Sequence, residues 1–294
     1  MKDIIYEFLD YIIEKNYSDY TETNYEIDLF KYEEYLKSHN LNYKTIKYKD
    51  ISNFIIFLKE SKYKSTSINR IISSLKSFYL FLEKKKVINN NPFALVKSVK
   101  TEKRLPNYFK YDEFNMMLES IEDNPLGIRN RLILELLLAT GMRVSELSNL
   151  KISDIDINAR EIRVFGKGKK ERIVYFGEYS LEALNNYLEK SRNILLNGKT
   201  SEYLLINNNG GRLTDRGVRL IIDNIVKKSA IKSKVSPHTF RHTFASLMLN
   251  EGCDIKSVQE LLGHASLSTT GIYTHLTNEE VRRAYLNAHP HGKE

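Results

Sequence analysis

The C-terminal part of the chain concentrates polar residues whose types and spacing suit chemistry on a phosphate ester. The run 236–276 contains His238, Arg241, His264 and Tyr273. Arginine presents a planar fork of N–H donors that matches phosphate oxygens, and histidine can accept or donate a proton near neutral pH. A phenol oxygen can attack phosphorus once its proton is removed. The pattern therefore indicates a site that holds a phosphodiester and moves protons around it.

Two more cations upstream extend this set. Arg143 lies in TGMRVSEL, and Lys167 lies in GKGKK. Displacement at phosphorus spreads negative charge over the oxygens, and fixed cations that meet this charge lower the barrier. The plainest alternative for Arg143 is a salt bridge at a helix end, with Glu146 as its partner.

A zinc site is the competing interpretation of the histidines. His238 and His242 are four residues apart, a spacing that zinc-binding pairs on a helix often use. The residues between them are TFR, without the Glu of the H-E-x-x-H motif, and neighbouring arginines oppose a bound cation. We therefore predict no metal site and interpret His242 as a packed or hydrogen-bonded support for the site.

Taken in order, the motifs closely resemble those of the tyrosine recombinases, and within them the bacterial Xer type. The resemblance covers nearly the whole chain and rests on five ordered strings: ATGMRVSEL, VFGKGKKERIVYF, HTFRH, LLGHAS and IYTH. It implies a catalytic set made of Arg143, Lys167, His238, Arg241 and His264, with Tyr273 as the nucleophile.

The resemblance also implies a reaction. Tyr273 would form a 3′-phosphotyrosyl bond with DNA, and Lys167 would protonate the 5′-oxygen that leaves. Neither a metal nor another cofactor is expected. We therefore expect a DNA strand-exchange enzyme that acts as a tetramer on two DNA sites. Its expected role is to resolve chromosome dimers at cell division. The alternatives are an integrase of a mobile element and a DNA-binding protein without catalysis, and a relaxing topoisomerase fits the motifs less well.

The elements that must position these residues divide the chain into two domains. Apolar stripes at helical spacing predict four helices in residues 1–98, followed by a linker at 99–106. Residues 107–294 combine helical patterns with two short β-favouring runs around GKGKK, typical of a hairpin. The expected fold is mainly α, with a helical core-binding domain and a mixed α+β catalytic domain.

Charge is unevenly distributed in a way that suits DNA. Residues 40–106 hold 15 Lys/Arg against 4 Asp/Glu, whereas residues 1–39 hold 4 against 10. A lysine-rich solvated surface would give the same count, but the catalytic set favours a phosphate-binding surface. The predicted DNA contacts in the two domains are Lys59, Lys62, Lys64, Arg70, Lys76, Lys169, Lys170 and Arg172.

The remaining features point to a cytoplasmic protein. No apolar stretch is long enough for a transmembrane helix, the N-terminus lacks the pattern of a signal peptide, and the single Cys253 suits a reducing compartment. A paralogous recombinase and a DNA translocase are further expected partners.

The tail after Tyr273 predicts one last helix, with Asn278 as its cap and an apolar face of Val281, Ala284, Tyr285 and Ala288. This face is too small to be stable alone, so the helix needs a partner surface. The resemblance implies docking on a neighbouring protomer, and docking on its own domain is the alternative.

Overall fold

The protein is described from a computed structural model. The structure describes residues 1–15, 17, 19–101, 108–166, 171–263 and 277–290. Two compact units divide the chain, Met1–Lys103 and Arg104–Glu294. Among the described residues, no helix is both long and apolar enough to span a bilayer.

The described residues of the first unit form four α-helices: α1 (Lys2–Glu14), α2 (Asp19–Ser38), α3 (Tyr48–Glu60) and α4 (Ser65–Lys84). Their apolar stripes meet in one aromatic-rich core, in which Phe8, Tyr32, Phe54 and Phe78 are buried. The phenol groups of Tyr32 and Tyr79 are hydrogen-bonded to each other at 3.0 Å, which satisfies two buried polar atoms.

Val99 belongs to the first unit rather than to a free connection. Its backbone N–H donates to Asn69 Oδ1 at 2.7 Å, and its carbonyl accepts from Asn69 Nδ2 at 2.9 Å. Asn69 therefore holds the first residue of the predicted linker against α4. The predicted boundaries stay a prediction, since residues 102–106 lie outside the described part of the chain.

The second unit combines nine α-helices with one small sheet in its described part. The helices are α5 (Tyr111–Glu119), α6 (Pro125–Thr140), α7 (Val144–Ser148), α8 (Glu178–Lys190), α9 (Arg192–Leu196), α10 (Asp215–Lys228), α11 (Pro237–Asn250), α12 (Ile255–Leu262) and α13 (Asn278–Ala288). The strands are β1 (Ile155–Asp156), β2 (Glu161–Phe165) and β3 (Glu171–Tyr175), in antiparallel order β1-β2-β3.

The predicted fold class is confirmed. The chain is mainly α, with a four-helix first unit and a second unit that carries the hairpin expected around GKGKK. In that hairpin Glu161 faces Tyr175 and Phe165 faces Glu171, so β2 and β3 are paired over their whole length.

Helix α6 is the central element of the second unit. Residues 132–140 are all buried, including the polar Glu135 and Thr140, so this part of the helix has no exposed face. The helix ends where Gly141 adopts a left-handed conformation with φ of 57°. This turn leads directly to Arg143 and α7.

The tail helix α13 packs against its own domain. Val281, Tyr285 and Ala288 are buried in a cluster that also contains Tyr175 of β3 and Phe244 of α11. The resemblance implied docking on a neighbour, but in this single chain the stripe fills the groove formed by β3, α11 and α12. The predicted cap is also wrong, because Thr277 rather than Asn278 caps the helix.

His289 secures the end of this helix. It is fully buried, its ring is stacked on Phe244 and Tyr285, and its Nε2 lies 3.2 Å from the carbonyl oxygen of Leu138 in α6. The contact joins the C-terminal segment to the central helix.

Candidate active site

Arg143 is held at the start of α7, directly after the left-handed turn at Gly141. Its backbone N–H donates to Glu146 Oε2 at 2.7 Å, and its Nη1 donates to Glu146 Oε1 at 2.8 Å. A third bond of 3.3 Å runs from Nη2 to the carbonyl of Gly263. The side chain still exposes 39% of its surface, so the guanidinium can meet a ligand.

Glu146 is the buried centre of this arrangement. Its carboxylate also accepts two bonds from Arg172, at 2.9 Å to Oε1 and 2.8 Å to Oε2. Burial alone would raise the pKa of Glu146, but the hydrogen bonds and charge of Arg172, together with the bonds from Arg143, outweigh it and lower the pKa. Glu146 is therefore a stable anion between two cations. The salt bridge considered for Arg143 exists, and it leaves part of the arginine side chain exposed.

Arg241 lies on α11 and is buried. Its Nη1 donates to the carbonyl of Gly141 at 2.8 Å, and its Nη2 donates to the carbonyl of Leu262. Burial, followed by the positive charges of Arg143 and Arg172, lowers the pKa of Arg241 to about 10, against the opposing effect of Glu146. The side chain remains a cation at neutral pH. A guanidinium carries five N–H donors, so these two carbonyl contacts use only part of its capacity.

His238 lies in the first turn of α11, three residues before Arg241 on the same helix. Its side chain reaches the surface, yet the atoms around it remove part of its hydration. This desolvation, followed by the positive charge of Arg219 and the nearby His242, Arg241 and Arg143, lowers the pKa of His238 from 6.5. The imidazole is therefore neutral at pH 7 and able to accept a proton.

Sequence reasoning missed Arg219, which lies on α10 with an exposed side chain. It is far from every catalytic motif along the chain, and only the fold brings its charge near His238. His242 was expected to be packed or hydrogen-bonded; its side chain is exposed, so it is not packed, and a hydrogen-bonded role stays a prediction.

Arg172 was predicted to grip DNA, and the structure places it differently. Only 12% of its side chain is exposed. Besides the two bonds to Glu146, its Nε donates to the carbonyl of Leu261 at 2.8 Å. These partners engage all three guanidinium nitrogens inside the domain, which argues against Arg172 as a DNA contact.

Five other predicted residues lie outside the described part of the chain: Lys167, Lys169, Lys170, His264 and Tyr273. Their assignments stay predictions. The described residues next to these segments lie at the ends of β2 and β3 and at the C-terminal end of α12. Arg143 and Arg241 both donate hydrogen bonds to that end of α12.

The predicted DNA contacts of the first unit fall into two groups. Lys59, Lys62 and Lys64 are exposed around the turn between α3 and α4. Lys76 is half-buried, and Arg70 donates to the buried Asp28 at 2.7 Å. The turn is therefore the stronger candidate for a phosphate-binding surface, because Arg70 is already engaged by a carboxylate.

Asp28 explains why Arg70 is engaged. Its Oδ2 accepts from both Arg70 and Ser74 at 2.7 Å, while burial raises the pKa of its carboxyl group despite these two partners.

A metal is not indicated in the described parts of either unit, where no three His, Cys, Asp or Glu side chains form a group that could hold an ion.

Comparison with known proteins matches both units. Residues 107–280 match the phage integrase family, and residues 5–86 match the N-terminal SAM-like domain of phage integrases. The chain is 43% identical over 282 residues to a protein of Staphylococcus epidermidis named tyrosine recombinase XerC, with 96% of this chain and 95% of that protein covered. A protein of the same name from Anoxybacillus flavithermus is 45% identical over 288 residues, with 96% of each chain covered.

Solved structures give the same result for the fold. XerH site-specific recombinase, bound to a palindromic difH substrate in a post-cleavage complex, is 25% identical with a TM-score of 0.71, covering 92% of this chain and 76% of that one. A lambda integrase dimer bound to a COC′ core site shares the fold at 19% identity, with a TM-score of 0.70 and coverage of 97% and 95%.

Proposed function

The chain belongs to the phage integrase family, and on this basis we propose that it is a site-specific tyrosine recombinase that cleaves and rejoins double-stranded DNA. The observation that supports this most directly is the convergence of Arg143 and Arg241 on the C-terminal end of α12, with Glu146 orienting the first arginine. Two fixed guanidinium groups that share one region can bind the non-bridging oxygens of a single phosphate.

In the proposed reaction, the phenol oxygen of Tyr273 attacks phosphorus and its proton passes to His238. The bond between phosphorus and the 5′-oxygen breaks, and the departing oxygen takes a proton from Lys167. Arg143, Arg241 and His264 stabilise the charge on the phosphate in the transition state.

The 3′-phosphotyrosyl bond conserves the free energy of the broken phosphodiester. A 5′-hydroxyl of another strand can therefore reverse the step without ATP. Neither a metal nor a cofactor is needed in this scheme, because arginine and lysine supply the positive charge.

Removal of the phenol proton is the costly part of the attack. A free phenol with a pKa of about 10 is ionised in only about one molecule per thousand at pH 7, which corresponds to about 4 kcal/mol. The neutral state of His238 suits it to accept this proton, and the arginines favour the anion.

Resolution of chromosome dimers at cell division in the cytoplasm is the proposed cellular role. It is supported by the match to proteins named XerC over nearly the full length of both chains. Strand exchange would take place in a tetramer on two DNA sites, formed by this chain alone or with a paralogous recombinase, and a DNA translocase would activate it.

A nicked DNA duplex that carries the target site tests the activity. The wild-type protein should leave a covalent protein–DNA adduct on a denaturing gel, also in excess chelator. Tyr273→Phe removes only the attacking oxygen, so it should bind the same DNA and leave no adduct. Absence of an adduct with the wild-type protein would indicate a DNA-binding protein without catalysis, and an adduct with Tyr273→Phe would assign another nucleophile.

A further inference from the structure

The C-terminal end of α12 binds three arginines from three different elements. The acceptors are the carbonyl oxygens of three consecutive residues. The pairs are Arg172 Nε with Leu261 at 2.8 Å, Arg241 Nη2 with Leu262, and Arg143 Nη2 with Gly263 at 3.3 Å. The last carbonyls of a helix have no partner within it and carry partial negative charge, so they are suited to hold cations.

Arg172, like Arg241, is turned away from solvent, whereas Arg143 is partly exposed. The side chain of Arg172 is 12% exposed, against 39% for Arg143. Its aliphatic part runs close to Gly263, where an added Cβ would lie 3.0 Å from Arg172 Cδ. The close approach lets one guanidinium reach both the helix end and the carboxylate of Glu146.

Glu146 connects this buried arginine to the exposed one. Each of its carboxylate oxygens accepts one bond from Arg172 and one from Arg143. A bidentate pair fixes the plane of the carboxylate, and that plane determines where Arg143 can point. Without Arg172, Glu146 would keep only Arg143 as a cationic partner, and their pairing would compete with a phosphate for the same donors.

We propose that Arg172 is a positioning residue for the phosphate site: by fixing Glu146 and the end of α12, it holds Arg143 and Arg241 in the geometry that one phosphate requires. This inference rests on the proposed DNA cleavage activity. The role assigned to Arg172 is to position other residues, and it differs from direct contact with DNA. Arg172 lies on β3, so it connects this strand to Glu146 and to the end of α12.

The test compares Arg172→Met with the wild-type protein in single-turnover cleavage of nicked DNA, at saturating protein. A displaced arginine pair should reduce the rate constant by about a hundredfold, since misplacement by about 1 Å has effects of that size. The Kd for DNA and the slope of its salt dependence should be unchanged. Arg163→Met is the matched control, because Arg163 lies on the same hairpin, is 55% exposed and pairs only weakly with Glu171 at 3.6 Å. Its cleavage rate should equal that of the wild type.

Two outcomes would overturn the proposal. A weaker Kd with a salt slope shallower by about 0.9, and a normal rate at saturation, would mean that Arg172 contacts a phosphate. A lower melting temperature and a smaller cleaved fraction, with a normal rate constant, would mean that Arg172 only supports folding. No adduct with the wild-type protein would instead contradict the proposed function.

A second pair of variants covers the case in which Arg172→Met folds poorly. Arg172→Lys keeps a cation beside Glu146 but loses the bidentate geometry, and its rate should lie between those of the wild type and Arg172→Met. In a Glu146→Gln background, Arg172→Met should reduce the rate little further, because both changes break the same pairing between Arg172 and Glu146. Independent, multiplying effects would contradict action through Glu146.

Discussion

His238 illustrates how the surroundings of a residue set its chemistry. An isolated histidine is partly protonated near neutral pH. Here desolvation and the positive charge of Arg219, followed by His242, Arg241 and Arg143, lower its pKa from 6.5, so the neutral form dominates at pH 7. Arg241 and Arg143, which would bind a phosphate, thus add to the larger effects of burial and Arg219 in keeping the proposed base free of a proton.

This assignment predicts the pH dependence of cleavage. The acid limb of kcat/KM should lie below pH 6.5, because a protonated imidazole cannot accept the phenol proton. Arg219→Met removes the charge that contributes most after burial, so the limb should move to higher pH while the rate at pH 8 changes less. Arg216→Met, on the same helix and also exposed, is the control for general loss of positive charge. An unmoved limb in Arg219→Met would argue against His238 as the base.

At the scale of elements, the site depends on two helix ends. Gly141 terminates α6 and Gly263 terminates α12, both with φ near +60°. The carbonyls at these ends accept bonds from Arg143 and Arg241. The arginines are therefore placed by backbone geometry as much as by side-chain packing.

Gly141→Ala should destabilise the protein for two separable reasons. A Cβ at this position would lie 2.6 Å from Phe244 Cδ1 and 2.8 Å from Leu262 Cδ2, in a conformation with φ of +57°. Left-handed strain of about 1–2 kcal/mol and overpacking of about 1–3 kcal/mol should combine in the free energy of unfolding.

Gly198→Ala separates these two contributions. Gly198 has φ of +78° and no atom within 4 Å of an added Cβ, so this variant should show the strain alone. Urea unfolding of both variants measures the difference. Equal losses would mean that the clash at Gly141 relaxes without cost.

Features that depend on local sequence could be predicted, whereas contacts between distant parts of the chain could not. The helical stripes of the first unit, the hairpin around GKGKK and the arginine at TGMRVSEL could be predicted because they depend on local patterns. Arg172 and Arg219 could not, since their roles arise from contacts with Glu146 and His238 that only the tertiary fold creates. The contact that holds Val99 could not be predicted for the same reason, because its partner Asn69 is 30 residues away.

At the scale of the whole molecule, the uneven distribution of charge along the chain predicts that DNA binding depends on salt concentration. Each phosphate that a protein neutralises contributes about −0.9 to the slope of log K against log salt concentration. Replacing both Lys62 and Lys64 by Ala should make the slope shallower by about 1.8. Lys37→Ala is the control, because Lys37 lies in the acidic segment and pairs with Glu33 at 3.1 Å. An unchanged slope in the double variant would remove the α3–α4 turn as a phosphate-binding surface.

The proposed tetramer raises the question of what α13 would do in the complex. Undocking it would expose Tyr285 and Val281 together with the groove that receives them. Full burial of one large apolar side chain is worth about 1.5–3 kcal/mol, so undocking alone is costly. The same groove on a neighbouring copy offers identical contacts, and exchange between protomers would recover most of this free energy.

Deletion of residues 279–294 tests whether the exchange matters. Because His289 and Tyr285 stabilise their own domain, we expect a lower melting temperature, with binding to a single DNA site retained at low temperature. Cooperative binding to paired sites and recombination should fall sharply, because no helix is left to connect one protomer to the next. Asn287→Ala, on the exposed face of α13, is the control and should assemble normally. If the truncated protein recombined paired sites at the full-length rate, α13 would serve only its own domain, and communication between subunits would have to run through another surface.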